Sequence, residues 1–289
     1  MTEQNLIRES DKMRVRKKKR ILPQPDIKVV PSNSLRNVWI VLASLLAITI
    51  FSFTRFEFGT IDWPIAIRDT FYNLAIIFTE AGFSSINLPD ALYQVLITMA
   101  MTFLTTFFSA ILSVFLGLLA ARNLTNERVS NVVKGFVAFI RSVPTVLWVL
   151  IFAIVAGLGS IAAIIGMSFH SVGYLTKMFS ESFEEMDQGV IEALQATGAS
   201  WWEVVFQGVL PTTIRSLVAW IFMRFEINYI VALGMGAAAG AGGIGFNLFM
   251  SGNFYYNMRE VGAITYLILA SVLLIELISI QIKKSFQTK

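Results

Sequence analysis

Four ionisable residues, Arg141, Arg224, Glu226 and Glu276, stand inside stretches that are otherwise almost free of charge. A charged side chain in hydrocarbon is costly, so each must meet another helix, reach the interface or line a wet path. The two arginines have the chemistry to ease an anion through a helical bundle; the structural alternative is that they pack between helices or snorkel. Arg224 and Glu226 are two residues apart and so point to different helix faces, which argues against a mutual ion pair. Arg141-Ser142-Val143-Pro144 adds a hydroxyl and a proline, which removes a backbone hydrogen bond and predicts a kink. Arg141, Ser142, Arg224 and Glu226 are therefore the candidates for a polar path, whereas Glu276 reads as structural.

Other chemistries find few residues. There is no cysteine, which excludes thiolate metal sites, Cys nucleophiles and disulfides. The single histidine, His170, is too little for a His-based zinc site or a Ser-His-Asp triad, and reads as a residue facing a neighbouring helix. Gly240-Ala-Gly-Gly-Ile-Gly245 satisfies the dinucleotide-binding spacing, but that fingerprint needs a strand before it and an acidic partner within a βαβ unit. Here an apolar span precedes it, so the glycines read as a turn or a close helix approach. No nucleotide-phosphate loop occurs, and no catalytic residue, metal or cofactor is expected in this chain.

The elements that must position these residues are membrane helices. The chain of 289 residues is 55% hydrophobic and 15% charged, against roughly a quarter charged in soluble domains. Six spans are expected, each near the ~20 residues needed to cross hydrocarbon: about 37–54, 91–120, 133–156, 161–179, 214–235 and 261–282. The division between the third and fourth is placed at Gly157-Leu-Gly-Ser160. Ten of the 23 Lys and Arg residues precede Asn37, including the run from Arg14 to Arg20, which holds a tail in the cytoplasm more simply than it binds nucleic acid. With Arg122, Arg128, Lys134, Arg215, Lys283, Lys284 and Lys289 all on one side, both termini are expected in the cytoplasm. The organisation read from this is a basic tail (1–36), a retained anchor (37–54), an outer connection with an interfacial helix (55–90), a core of five spans (91–282) and a short cytoplasmic tail (283–289).

One cytoplasmic segment, 187–211, breaks the apolar pattern. It reads as two short helices joined at Gly198, which suits the left-handed residue after a helix, with Ser200 and Glu203 spaced as a capping box for the next. Trp201, Trp202, Val205 and Phe206 shown to water would be an aggregation hazard without a partner, so the insert reads as a docking device.

Glu192-Ala-Leu-Gln-Ala-Thr-Gly198-Ala199, closing on Val209-Leu-Pro211, resembles the EAA loop of permease subunits in ATP-binding-cassette importers. It departs at Thr197, where that pattern often has aspartate. Leu116-Gly-Leu-Leu-Ala-Ala-Arg-Asn123, Arg141-Ser-Val-Pro144, Phe225-Glu-Ile-Asn228 and Gly240 to Gly245 together resemble the PhnE-type permease of phosphonate importers; methionine and alkanesulfonate permeases are similar in the glycine-rich stretch. The resemblance implies an all-α integral membrane protein of the type I importer fold in the bacterial plasma membrane. It also implies a homodimer, two cytoplasmic ATPase subunits, an extracytoplasmic solute-binding protein and transport of phosphonate, phosphite or phosphate. Glu192, Ala193, Gly198 and Ala199 would couple to the ATPase, with Trp201, Trp202 and Phe206 as contact surface. The rivals are a methionine- or alkanesulfonate-type importer, an ion-driven secondary carrier and a membrane dehydrogenase.

Overall fold

The computed structural model describes residues 34–55 and 61–287, so the basic run Arg14–Arg20 and Lys289 lie outside the described residues. The chain divides into two compact units, 1–63 and 64–289. The first contributes helix α1 (Ser34–Arg55), of which Leu35–Arg55 is long and apolar enough to cross a membrane.

The regular elements among the second unit's described residues are all helical: α2 (Trp63–Thr79), α3 (Leu88–Ala120), α4 (Glu127–Ser142), α5 (Thr145–Ala156), α6 (Ser160–Glu184), α7 (Gln188–Ala196), α8 (Trp201–Val204), a π turn (Val205–Val209), α9 (Leu210–Ala239), α10 (Gly243–Asn253) and α11 (Met258–Gln287). Four helices of the described chain are long and apolar enough to span, and α4 with α5 makes a fifth if the bent pair is one crossing. Helix α6 is not among them, and its place explains why. It packs against α3, α4, α5 and α9, so protein rather than lipid meets most of its surface and Ser, His and Lys are tolerated on it.

The expected third span, 133–156, is not one straight helix. Its two halves meet at an angle of 84° beside Pro144. Val143 is extended at ψ 123° and Pro144 serves as the cap of α5, because proline lacks the N–H needed to continue α4 and disfavours helical backbone in the residue before it. The 187–211 insert likewise does not end in a loop at Pro211. Residues Trp201–Ala239 form one helical run of 39 residues through the π turn. The amide of Leu210 reaches back to Val205 O, and this wider turn lies immediately before the proline that cannot donate.

The core is built on α3 and α6. Thr98, Thr102, Thr105, Thr106, Ser109 and Ser113 of α3 are buried, and their small side chains let the helices approach as membrane-helix interfaces require. Ser109 and Ser113 donate across to the carbonyls of Ser168 (3.3 Å) and Val172 (3.1 Å), while Thr102 and Thr106 bond their own helix. The glycines read as a turn or a close helix approach lead into α10, folded back on α9. A Cβ at Gly245 would lie 2.0 Å from the Leu233 carbonyl oxygen, so no larger residue permits this contact. Thr98 Oγ1 accepts the Ile244 amide at 3.1 Å, satisfying a free N–H at the start of α10.

The same side of the bundle is pinned by Glu260, which is buried and accepts from the amides of Ser85 (3.0 Å) and Ile86 (2.8 Å) and from Ser251 Oγ. Tyr266 Oη donates to Phe78 O at 2.7 Å and Arg259 pairs with Glu80, fastening the end of α2 to the start of α11. Helix α2 buries no side chain completely and exposes Phe71, Tyr72 and Phe78, a pattern suited to a membrane interface.

Candidate coupling surface and polar core

The insert turns at Gly198. Its φ is +86°, the amide of Gly198 reaches Gln195 O (2.9 Å) and that of Ala199 reaches Leu194 O (3.2 Å). This is the two-bond arrangement that satisfies the last carbonyls of a helix. Thr197 Oγ1 donates to Leu194 O at 2.7 Å, so the hydroxyl at the departing position serves the same helix end. Across the turn, Ser200 Oγ accepts the Glu203 amide and Glu203 Oε2 accepts the Ser200 amide at 2.6 Å, a complete capping box. The corner between α7 and α8 is thus fixed by backbone and by side chains on both sides.

What the corner shows outward differs from the expected set. Glu192, Ala193 and Gly198 are exposed and Ala199 is half-buried. Trp202 is 52% and Phe206 61% exposed, with ring centroids 5.9 Å apart and nearly parallel. Val205, expected at the surface, is completely buried, and Trp201 is half-buried. One turn of helix separates Trp202 from Phe206, while Trp201 and Val205 share the opposite stripe that packs against Phe179, Phe183 and Ile191.

The insert rests on a loop that the sequence reading did not connect with it. Trp201 Nε1 donates to Leu124 O at 2.8 Å, and Asn123 Nδ2 donates to Phe183 O at 2.7 Å. Glu184, at the end of α6, accepts from Lys134 Nζ (2.7 Å) and from the Arg122 amide (2.8 Å). Burial alone would raise its pKa, but these hydrogen bonds outweigh it and hold the carboxyl below its ordinary value. Asn123 was visible as the last residue of the Leu116–Asn123 stretch; Glu184 had no local signal.

The polar-path candidates separate into three places. Arg141 and Ser142 are exposed at the end of α4, beside the bend. Arg224 on α9 is only 3% exposed and faces α6: Nε donates to Ser171 Oγ (3.1 Å), Nη2 meets His170 Nδ1 (3.2 Å), and the guanidinium carbon lies 5.2 Å from the Tyr174 ring centroid. Ser171 also donates to Asn228 Oδ1 (3.0 Å), whose Nδ2 donates to Thr106 Oγ1 (2.9 Å). A buried polar chain thus joins α3, α6 and α9. Glu226 instead lines a cavity of about 150 Å³ with Glu276, Tyr229 and Ile275, between α9 and α11. The divergence of Arg224 and Glu226 follows from their spacing. Asn228 and Ser171, which tie Arg224 in place, were missed; Asn228 stood in the Phe225–Asn228 stretch, while Ser171 looked like any small residue of a span.

A family profile described as the binding-protein-dependent transport system inner membrane component matches residues 113–289. The phosphite transport system permease protein PtxC of Stutzerimonas stutzeri is 33% identical over 191 residues, 66% of this chain and 69% of that protein. The phosphate-import permease protein PhnE of Mycolicibacterium smegmatis is 32% identical over 183 residues, 63% of this chain but 34% of that longer protein. Among solved structures, a chain of the MetNI methionine ABC transporter in an inward-facing conformation superposes with a TM-score of 0.63 at 24% identity, covering 70% of this chain and 99% of that one. That likeness concerns the fold.

Proposed function

Since the chain belongs to the family of binding-protein-dependent transport-system inner membrane components, we propose that it is the permease subunit of an ATP-driven importer for phosphonates or related phosphorus oxyanions such as phosphite and phosphate. The observation that carries the substrate class is the similarity to a phosphite permease over most of that protein's length. A buried guanidinium whose neighbours are a serine, a histidine and a tyrosine supports it, because such a cation favours an anionic visitor.

In this reading the chain crosses the bacterial plasma membrane six times with both termini in the cytoplasm, with the α4–α5 pair as one crossing and α6 as another. Two copies form the pathway, and two separate ATPase subunits seat on the insert through Glu192, Ala193, Gly198, Ala199, Trp202 and Phe206. Trp201 holds the insert to the bundle from behind. A solute-binding protein delivers substrate to the outer side. Arg141, Ser142, Arg224 and Glu226 remain the candidates for the path, the arginines along α6 and the glutamate on the α11 side. ATP-driven movement of the insert switches the bundle between two packings, since packed helices rearrange as bodies rather than deform.

The test is to purify the chain with its ATPase and binding protein and ask which ligand raises the binding protein's melting temperature and is taken up by proteoliposomes. Stabilisation and uptake with phosphite, phosphate or methylphosphonate are expected. Response to methionine or an alkanesulfonate instead would replace the substrate class, and uptake driven by a proton or sodium gradient without an ATPase would replace the mechanism.

A further inference from the structure

One face of α6 lies between two arginines that come from different helices. His170, Gly173 and Tyr174 share that face by their spacing of three and four. From α4, the Arg141 stem crosses Gly173 so closely that a Cβ there would sit 2.7 Å from Arg141 Cγ. From α9, Arg224 reaches the same face at His170 and Tyr174. Arg141 is exposed and His170 half-buried, while Arg224 is almost fully enclosed, so one turn of α6 meets an open cation on one side and a closed one on the other.

The partners of Arg224 are chemically weak for a buried cation. A guanidinium has five N–H donors, and the contacts here are one hydroxyl, one imidazole nitrogen and one aromatic face. None is an acid. Removal of a cation from water is compensated fully only by an opposite charge with good hydrogen bonds. A carboxylate at His170 would have locked the fork; an imidazole nitrogen aims it and can be displaced, because an oxyanion offers the guanidinium an opposite charge and two parallel acceptors where the imidazole offers one neutral nitrogen.

We propose that Arg141 and Arg224 form a two-step relay for a tetrahedral oxyanion along this face of α6, with His170 as the positioning residue that aims the Arg224 fork. The proposal rests on the phosphorus-oxyanion reading above. The anion pairs first with Arg141 at the α4–α5 bend. As α6 and α9 shift, the Nη atoms of Arg224 exchange His170 for phosphoryl oxygens, and the return of His170 releases the anion. Two successive sites of modest strength serve transport better than one deep site, since binding must favour entry without preventing exit. Gly173 lets the Arg141 stem lie flat on α6, and Tyr174 covers the face of the Arg224 guanidinium.

The measurement is anions imported per ATP hydrolysed by the complete complex in proteoliposomes, using phosphite, methylphosphonate and phosphate as probes. R224Q should lower this ratio at least about tenfold, the scale expected when one partner of a desolvated charge pair is removed, and R141Q should lower it as well. R224K should recover part of it, keeping charge without the planar fork. H170A should lower the ratio and H170Q restore it, because the amide oxygen can accept from Nη2 where alanine cannot; a purely structural role for His170 would leave the ratio unmoved in any variant that assembles. R141Q, altering an exposed residue, keeps the test decisive if R224Q fails to assemble: an unchanged ratio in R141Q overturns the relay. Import of a probe by the unmodified complex together with undiminished import by the arginine variants overturns the relay alone. ATP hydrolysis by the unmodified complex with import of none of the three probes overturns the substrate reading, and the relay with it.

Discussion

Trp201 and Trp202 are adjacent in sequence and lie in T-shaped contact with ring centroids 4.6 Å apart, yet they serve opposite surfaces. The first donates its indole N–H to Leu124 O and packs on the bundle; the second is 52% exposed and stacks on Phe206. A helix rotates its side chains by about 100° per residue, which is enough to divide anchoring from docking between neighbours.

Replacement of Trp201 by Phe keeps most of the packing and removes the donor to Leu124. The expected cost is about 1 kcal/mol, the usual net value of one hydrogen bond, seen as a lower unfolding midpoint of the purified chain in detergent. Trp202→Phe should leave that midpoint unaltered. Equal effects from the two substitutions would show that Trp201 is not the anchor.

Alanine at both Trp202 and Phe206 should weaken retention of the ATPase during purification, since aromatic anchors can each contribute on the order of 2 kcal/mol to an interface. Because both rings are exposed, the chain's own thermal midpoint should stay put. Full retention of the ATPase by the double variant would place the docking surface elsewhere.

Gly198→Val forces a β-branched residue into a left-handed backbone with φ +86°, at a cost of roughly 1–2 kcal/mol. The corner between α7 and α8 should shift and the uptake obtained per ATP hydrolysed should fall. Gly198→Asn, a residue that visits this conformation readily, should be tolerated. Normal coupling in the valine variant would end the proposal that Gly198 couples the ATPase to the bundle.

Glu184 gives a pH dependence with a definite sign. Its carboxyl is held below the ordinary range by Lys134 and the Arg122 amide, against the opposing effect of burial. The stability it contributes is therefore present above the unfolded value, about 4.3, and is lost as pH falls through the lower folded value. Thermal unfolding of the unmodified chain and of Glu184→Gln should differ at pH 6 to 7 and converge as the acid limb is reached. A gap that stays constant down that limb would rule the linkage out.

The sequence made the helical class and the insert's corner legible because both depend on local rules. Uncharged length marks a membrane helix, and Gly198 with Ser200 and Glu203 obeys capping chemistry that acts within a few residues. Pro144 signalled a kink, but not one of 84°, since the angle is set by what α4 and α5 pack against. Val205 was misplaced because its spacing pairs it with Trp201 on one stripe of the helix, while which stripe meets the bundle is decided by packing against distant residues such as Phe179 and Phe183. In the polar core, Arg224 and Glu226 could be sent to different faces by spacing alone, but Ser171 and Thr106 could not be identified as partners of Asn228, which lies 57 and 122 residues away from them. Long-range partnership is decided by packing, and a serine in a span carries no local mark of it.

The unbroken helical run from Trp201 to Ala239 makes the insert one arm of a lever. At 1.5 Å per residue, 39 residues extend about 58 Å, so a tilt of only about 5° at the aromatic end would carry the glycine-rich end sideways by about 5 Å, one helical pitch. Gly245 sits against that far arm at Leu233, in backbone contact with no side chain to absorb the motion. A small rotation imposed at Trp202 would therefore reach α10 geared up and with little slack.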